Sequence, residues 1–346
     1  MYYTPDDLKF NKKIVKITQD SEIPLIGCIA FGIIDRGTNI IQIRPSSLCP
    51  LSCIFCSTDA GPNSKKRQCE FIVELDYLLF YIKQVVEYKG IKSIEAHIDT
   101  IGDPLTYPNI VDLVQKLRNI GGINVISMQT HGFLLNEKLI DDLADAGLSR
   151  INLSIDALNP VLAKNLSGTE SYDVTRILSL AEYIANSSKI DLLIAPVWIP
   201  PFNDLEIPKI IEYAKTIGAG KKWPPLGIQK YELHKYGRKP KGASTMSWRK
   251  FYEQLSYWEK IFNVKLKLSP TDFGIFKVKK IPIPFKKYEK VKAKIVENGL
   301  FKGQKIAVAR GRAITIINSN NLPINSHVFV RILRVKDNII IAEPVL

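Results

Sequence analysis

The chain has 346 residues, 46% of them hydrophobic, enough to bury a large core and to form one large domain beside a small one. No run of 18 or more uncharged apolar residues occurs, and the opening MYYTPDDLKFNKK lacks the basic-then-apolar order of a secretory leader, so the expectation is a soluble cytoplasmic protein, neither membrane-spanning nor secreted. The net charge is +14, yet Lys277 to Leu346 carries 15 Lys and Arg against 4 Asp and Glu, leaving 33 against 30 before it; this predicts a polyanionic partner at the C-terminal end, RNA first, with a lysine-rich solvated surface as the plainer reading.

After a short lead-in, short apolar runs alternate with longer amphipathic stretches. The runs are NIIQIRP (39–45), SIEAHID (93–99), NVISMQT (124–130), RINLSID (150–156), DLLIAPVWI (191–199) and LGIQKYELH (226–234), each of strand length and bounded by turn residues or charges. Between them VELDYLLFYIKQVVEYKG, NIVDLVQKLRNIGG, NEKLIDDLADAG, SYDVTRILSLAEYIANS and DLEIPKIIEYAKTIGAG have helical periodicity, several closing on Gly or Asn. The alternation predicts an α/β fold with a parallel sheet, either open and doubly wound or curved into a (β/α) barrel, with its chemistry in loops at the C-terminal strand ends. KVKKIPIPFKKYEK (277–290) predicts a basic linker. Beyond it VKAKIV, QKIAVARGRAITIIN, HVFVRILRV and NIIIAEPV, separated by turn signals, predict a small closed or nearly closed all-β barrel of OB type. The expected organisation is therefore 1–276, a linker at 277–290, and 291–346.

Directly after the first predicted strand comes SSLCPLSCIFCST (46–58), with Cys49, Cys53 and Cys56, three of only five cysteines. An odd count with this clustering favours metal ligation or catalysis over disulfides. Three thiols spaced C-x3-C-x2-C on a loop suit a cubic [4Fe-4S] cluster, which would keep one iron open to a chelating small molecule. Two rivals stand beside this: a structural zinc that recruits Cys28 or Cys69, and thiols that merely pack.

The three cysteines after a first strand, with Phe55 just before the last, resemble the radical SAM superfamily over roughly residues 30 to 270. The resemblance implies a partial (β/α)6 barrel whose cluster and S-adenosylmethionine generate a 5′-deoxyadenosyl radical that abstracts hydrogen from substrate. It also implies further cofactor contacts. Phe55 would lie against the adenine. Gly102 and Asp103 in TIGDPL match the end of the family's Gly-Gly-Glu stretch, although Ile101 replaces its first Gly and Asp its Glu. Thr130 resembles a polar strand-end corner, and Ser154 in NLSID the residue that meets ribose or carboxylate. Lys164 is a candidate for that carboxylate or a solvated helix-face lysine. His97, Asp99, His131, Gln229, Tyr231 and His234 lie near strand ends without an assigned role, and Cys28 and Cys69 are candidates for a redox or methyl-carrying pair.

The C-terminal stretch resembles the TRAM domain, a small RNA-binding barrel of tRNA-modifying enzymes. Lys292, Lys294, Lys302, Lys305, Arg310, Arg312, Arg331 and Arg334 sit on or beside alternating strands, so about half would form one phosphate-contacting face. A second basic loop, HKYGRKPKGAS (234–244), would extend that track, lid the pocket or be solvated. Together these readings predict a radical SAM enzyme that modifies a nucleoside in RNA, tRNA foremost, and draws electrons from a donor such as ferredoxin or flavodoxin. Methylthio transfer is disfavoured, because its additional cluster-bearing domain is missing. The rivals are a radical SAM enzyme acting on a small metabolite, cofactor precursor or peptide, and a non-catalytic RNA-binding protein with a structural metal.

Overall fold

The computed structural model describes residues 12–345, so residues 1–11 of the stretch read for a leader, and Leu346, lie outside the described residues. The chain opens with β1 (Lys13–Ile17), β2 (Gly32–Asp35), β3 (Ile40–Arg44) and β4 (Cys69–Val73), then α1 (Leu75–Lys89). Strands and helices alternate through β5 (Ile94–Ile98), α2 (Ile110–Arg118), β6 (Ile123–Thr130), α3 (Glu137–Asp145) and β7 (Arg150–Leu153). Next come α4 (Pro160–Ser167), α5 (Val174–Ser187), β8 (Asp191–Ile194), β9 (Val197–Trp198), α6 (Glu206–Thr216), β10 (Gln229–Lys230) and α7 (Trp248–Phe262). Five strands close the chain: β11 (Lys290–Asn298), β12 (Lys305–Ala309), β13 (Arg312–Ile316), β14 (His327–Arg334) and β15 (Ile341–Pro344).

The main sheet runs β2-β3-β5-β6-β7-β8, with β2 antiparallel to β3 and the other neighbours parallel. Helices cover its apolar residues: α1 turns Leu78, Leu79, Ile82, Val85 and Val86 inward at helical spacing. Four of the described helices start on side-chain caps, Asn136 receiving the Leu139 N–H, Asn159 that of Leu162, Asp173 that of Thr175 and Ser247 that of Lys250. Among the described residues no helix is long and apolar enough to cross a membrane.

The first five predicted strands are all in this sheet, whereas the sixth run joins it only by a parallel bridge of Leu226 to Ile194, with Ile194 N donating to Pro225 O (2.8 Å) and Gly227 N to Ile194 O (2.9 Å). Pro196 has no N–H to offer the ladder, so DLLIAPVWI leaves the sheet after Ile194. Val197–Trp198 pairs instead, in parallel, with Gln229–Lys230, which with the Leu226 bridge is what forms of the strand expected over 226–234. The lead-in is also more structured than expected, since β1 pairs in parallel with β4 and β2 flanks β3.

The C-terminal strands form a closed barrel in the order β11-β12-β13-β15-β14, with β13 and β15 parallel, as the texture of that segment predicted. The stretch 277–290 is not a free tether. The Val278 N–H donates to Gly37 O (3.0 Å), the Ile281 N–H donates to Asp35 Oδ2 (2.7 Å), and Phe285 is buried in the barrel core. Barrel and body also share a core, for Leu300, Phe301, Ile306 and Ala313 belong to the large cluster of the body. Backbone hydrogen bonds cross the junction from Ala313 N to Ile26 O and from Ile340 N to Gly27 O. Gly27, at φ +126°, sits where any Cβ would collide with the Ala313 carbonyl.

Candidate active site

The loop after β3 carries the three cysteines, and buried cations and close backbone contacts fix its course. Arg67 is fully buried; its Nε donates to Thr58 O (2.9 Å), Nη1 to Ser47 O (2.8 Å) and to Glu70 Oε2 (2.9 Å), and Nη2 to Thr58 Oγ1 (2.8 Å) and to Ile101 O. One guanidinium thus ties both ends of the cysteine loop to the end of β5. Gly102 lies so close that a Cβ there would strike the carbonyl oxygens of Ser47 and Leu48. From the other side α4 contributes carbonyls: Ser52 N donates to Ser167 O (3.1 Å) and Ile54 N to Leu166 O (3.0 Å).

The result is a cavity of about 560 Å³ at the C-terminal ends of the sheet strands, a size typical of small-molecule sites, into which Cys49, Cys53 and Cys56 all open. Burial pushes the Cys49 and Cys53 thiols well above the ordinary range, and neighbouring thiols add to it. Cys56 goes the other way: burial opposes its ionisation, but the Ala60 N–H donating to its sulfur (3.2 Å) and the Arg238 guanidinium bring it below the ordinary value. Among the described residues no three His, Cys, Asp or Glu side chains are already drawn together at metal-binding distance, so the thiols share a cavity without touching. Cys28 and Cys69 line other surroundings, Cys28 beside Thr315 of β13 and Cys69 on β4, which leaves neither as a fourth ligand in this cavity.

Three thiols, a backbone donor to sulfur and a cation suit an anionic iron–sulfur cluster. Arg238 supplies the cation, and its Nε and Nη1 are buried without hydrogen-bond acceptors. The residue reaches the site from the loop 234–244, which lies over the cysteine loop: Arg238 N donates to Cys56 O (2.8 Å) and Lys66 Nζ donates to Gly237 O (2.8 Å). Neither Arg67 nor Arg238 was singled out by spacing or motif.

Phe55, Gly102, Asp103, Thr130 and Ser154 all line the same cavity. Two of their side chains are occupied by each other, because the Thr130 hydroxyl lies 2.9 Å from both carboxylate oxygens of Asp103, which also accepts from Leu105 N and His131 N. This clasp joins the ends of β5 and β6, so these positions offer a ligand their backbone more than their side chains. Ser154 Oγ accepts from Gln129 Nε2 (2.9 Å). His97, Asp99, His131, Gln229, Tyr231 and His234 also converge here. His97 Nδ1 is 2.7 Å from Ser127 Oγ, and burial holds its imidazole below the ordinary pKa. Tyr231 is buried with its hydroxyl unpartnered, and Arg44, unforeseen, reaches Asp99 at 3.2 Å. Lys164 lies on α4, half-exposed, 4.0 Å from Glu170 and outside the cavity lining.

The cations named on the C-terminal barrel, of which about half were expected on one face, divide between inward-paired and outward positions. Arg310 pairs with Glu289 (2.7 Å) and donates to Pro284 O, Arg312 donates to Pro282 O, Lys294 lies 3.8 Å from Glu22, and Lys305 donates to Asn298 Oδ1. Arg310 and Arg312 are drawn to the 277–290 stretch, Lys305 to β11 within the barrel, and Lys294 of β11 toward the body. Lys302 is exposed and donates its N–H to Lys66 O. On the outward side β11 and β14 set Lys290 opposite Arg331 and Lys292 opposite Phe329, all exposed, with Arg334 beyond a register shift. Tyr288 is 64% exposed, with Lys287 Nζ 4.6 Å from its ring centre.

The family model described as the Radical SAM superfamily matches residues 43–214. An uncharacterized protein of Methanocaldococcus jannaschii, MJ0103, is 48% identical over 343 residues, covering 93% of this chain and 79% of that protein. A GTP 3′,8-cyclase of Alkaliphilus metalliredigens is 30% identical over 172 residues, covering 50% of this chain; the chain spans only 51% of the cyclase. Among solved structures, Streptococcus suis SuiB superposes with a TM-score of 0.49 at 17% identity, over 72% of this chain and 51% of that one.

Proposed function

Because the chain belongs to the radical SAM superfamily and is an enzyme that uses a [4Fe-4S] cluster and S-adenosylmethionine, we propose that Cys49, Cys53 and Cys56 hold the cluster and that the substrate is a nucleoside in RNA, tRNA foremost. When bound, the cluster and S-adenosylmethionine supply one-electron cleavage of the sulfonium, with a 5′-deoxyadenosyl radical as the hydrogen abstractor. The residues of the chain supply the rest. The Arg67 clamp and the α4 carbonyls hold the three thiols toward one cavity. Phe55, the backbone at Gly102 and Asp103, Thr130 and Ser154 form the wall for S-adenosylmethionine, and the buried setting keeps water and stray C–H donors away from the reacting carbon. His97, Asp99, Gln129 and Tyr231 supply donors and acceptors for a polar heterocycle.

The outward face of the C-terminal barrel carries the RNA reading. Lys290 lies directly opposite Arg331, whose other cross-strand neighbour is Glu343 of β15, and exposed Phe329 and Tyr288 beside Lys287 and Lys292 offer surfaces on which bases stack. Such a face supplies affinity and position, while the cavity selects the nucleotide. We assign the enzyme to the cytoplasm, with a low-potential ferredoxin or flavodoxin as electron donor. A second reading, a free purine nucleotide as substrate, is favoured by the cyclase similarity.

Oxygen-free reconstitution of the full chain is expected to give about four irons per chain and 5′-deoxyadenosine on reduction; one zinc per chain overturns the enzyme reading. Reversing Lys290, Lys292 and Arg331 to Glu is expected to lower tRNA affinity at least tenfold and flatten its salt dependence. Unchanged tRNA binding in that variant, with saturable nucleotide binding, favours the second reading. Mass spectrometry of tRNA nucleosides from cells lacking the gene would then name the modification by its loss.

A further inference from the structure

Arg238 comes from the loop 234–244, whose other cations, Lys235, Lys239 and Lys241, are exposed, yet its own side chain turns into the wall of the cavity. Its position is fixed on three sides. The backbone N–H donates to Cys56 O (2.8 Å), Nη2 donates to Ala60 O (2.5 Å), and the preceding Tyr236 stacks on Phe301 with ring centres 4.1 Å apart and planes 7° from parallel. Gln304 Nε2 also donates to the Tyr236 hydroxyl at 3.3 Å. Swinging this guanidinium to solvent would break its bond to Ala60 O and its approach to Asp59, while Tyr236 anchors the loop to the barrel.

Its charge is only half answered. Asp59 Oδ1 stands 3.4 Å from Nη1 without hydrogen-bond geometry, while Asp59 Oδ2 is taken by Ser64 Oγ, Lys65 N and Lys66 N. A half-buried cation with two buried, unmet donors is costly unless a negative group completes it.

We propose that Arg238 sets the reduction potential of the iron–sulfur cluster. Its fixed charge in the cavity wall stabilises the additional negative charge of the reduced cluster. This rests on the reading that Cys49, Cys53 and Cys56 hold the cluster. Reduction adds one electron from a low-potential one-electron donor and binds no proton, so the added charge must be met by the surroundings. Burial of the thiols lowers the local dielectric and enlarges the effect of a nearby charge. Net charge, hydrogen bonds to sulfur and solvent exposure are what set such potentials, and the Arg238 to Ala60 to Cys56 chain supplies the first two.

The test is a redox titration of the reconstituted full chain, followed by electron paramagnetic resonance with dithionite as reductant. Arg238→Gln is expected to lower the ratio of reduced to oxidised cluster about tenfold at a fixed poise, about 59 mV for one electron. Arg238→Lys is expected to restore most of the shift. Asp59→Asn, which removes the opposing anion, is expected to move the potential the other way. An Arg238→Gln protein with the wild-type potential overturns the proposal, as do shifts of the same sign in both variants, which loosening of the loop alone would give. Should Arg238→Gln fail to retain the cluster, the sign in Asp59→Asn decides. A wild-type protein that takes up no iron overturns the reading of the cysteines, and this proposal with it, whereas a loaded wild type with unmoved variants overturns this proposal alone.

Discussion

Arg67 does more for the candidate site than any residue the motif contains. It is wholly buried, pairs with the equally buried Glu70, and gives its remaining donors to carbonyl and hydroxyl oxygens on both ends of the cysteine loop. Breaking such a pair from one side leaves a buried carboxylate without its cation and four other acceptors without the guanidinium, at about 3–5 kcal/mol. Arg67→Met is therefore expected to lower urea-unfolding stability by about that amount, and Arg67→Met with Glu70→Gln to recover part of the loss. Equal stability of Arg67→Met and wild type would show that the loop is held by other contacts. The cysteines are visible in a sequence because their spacing is the chemistry. The residue that aims them is not, because a cation 11 positions after Cys56 has no periodic relation to it and acquires its partners only when β4 and β5 come together.

At the scale of elements, what was legible was what local periodicity determines. Five strands of the main sheet and the helices α1, α2, α3, α5 and α6 follow from apolar runs and amphipathic stretches. The sixth strand is reduced to the Leu226 bridge and the Gln229–Lys230 pairing, because Pro196 in the neighbouring fifth run interrupts the ladder it would have extended, which hydrophobicity does not report. β1, β2 and β4 were missed since their partners are distant in sequence or antiparallel within a lead-in that had no helix to mark it. α4 is different: Asn159 as cap, Pro160 in the first turn and Gly168 past the end are start and stop signals that were present but unread in an eight-residue helix. That helix matters, for Leu166 and Ser167 offer their carbonyls to the cysteine loop, and Gly168, at φ +58°, leaves no space for a Cβ beside the Ser52 carbonyl. Gly168→Ala is expected to keep the far-ultraviolet dichroism of the wild type while losing at least half of the bound iron on gel filtration. Full iron retention would mean that the loop is indifferent to α4.

For the whole molecule, the barrel is part of the body's stability and not an appendage. The seam is built from Leu300, Phe301, Ile306 and Ala313 on one side and the β1–β4 region on the other, and residues 277–290 are hydrogen-bonded across it. Removing the barrel would expose Ile26, Phe301 contacts and the Gly27 backbone together, so a chain cut before β11 is expected to aggregate, and loss of RNA binding in it would report unfolding rather than a lost surface. Charge reversal on the outward face avoids that ambiguity. The four tryptophans, Trp198, Trp223, Trp248 and Trp258, all lie in the body, so their fluorescence follows the body alone, whereas dichroism follows both parts. If the seam couples them, urea unfolding followed by the two signals gives one coincident transition. Two midpoints, with the fluorescence transition separate from the loss of β-dichroism, would instead describe independent domains. In that case Tyr236 would join the cysteine loop to a barrel able to unfold without it, and the fixed position of Arg238 would have to come from its bonds to Cys56 and Ala60 alone.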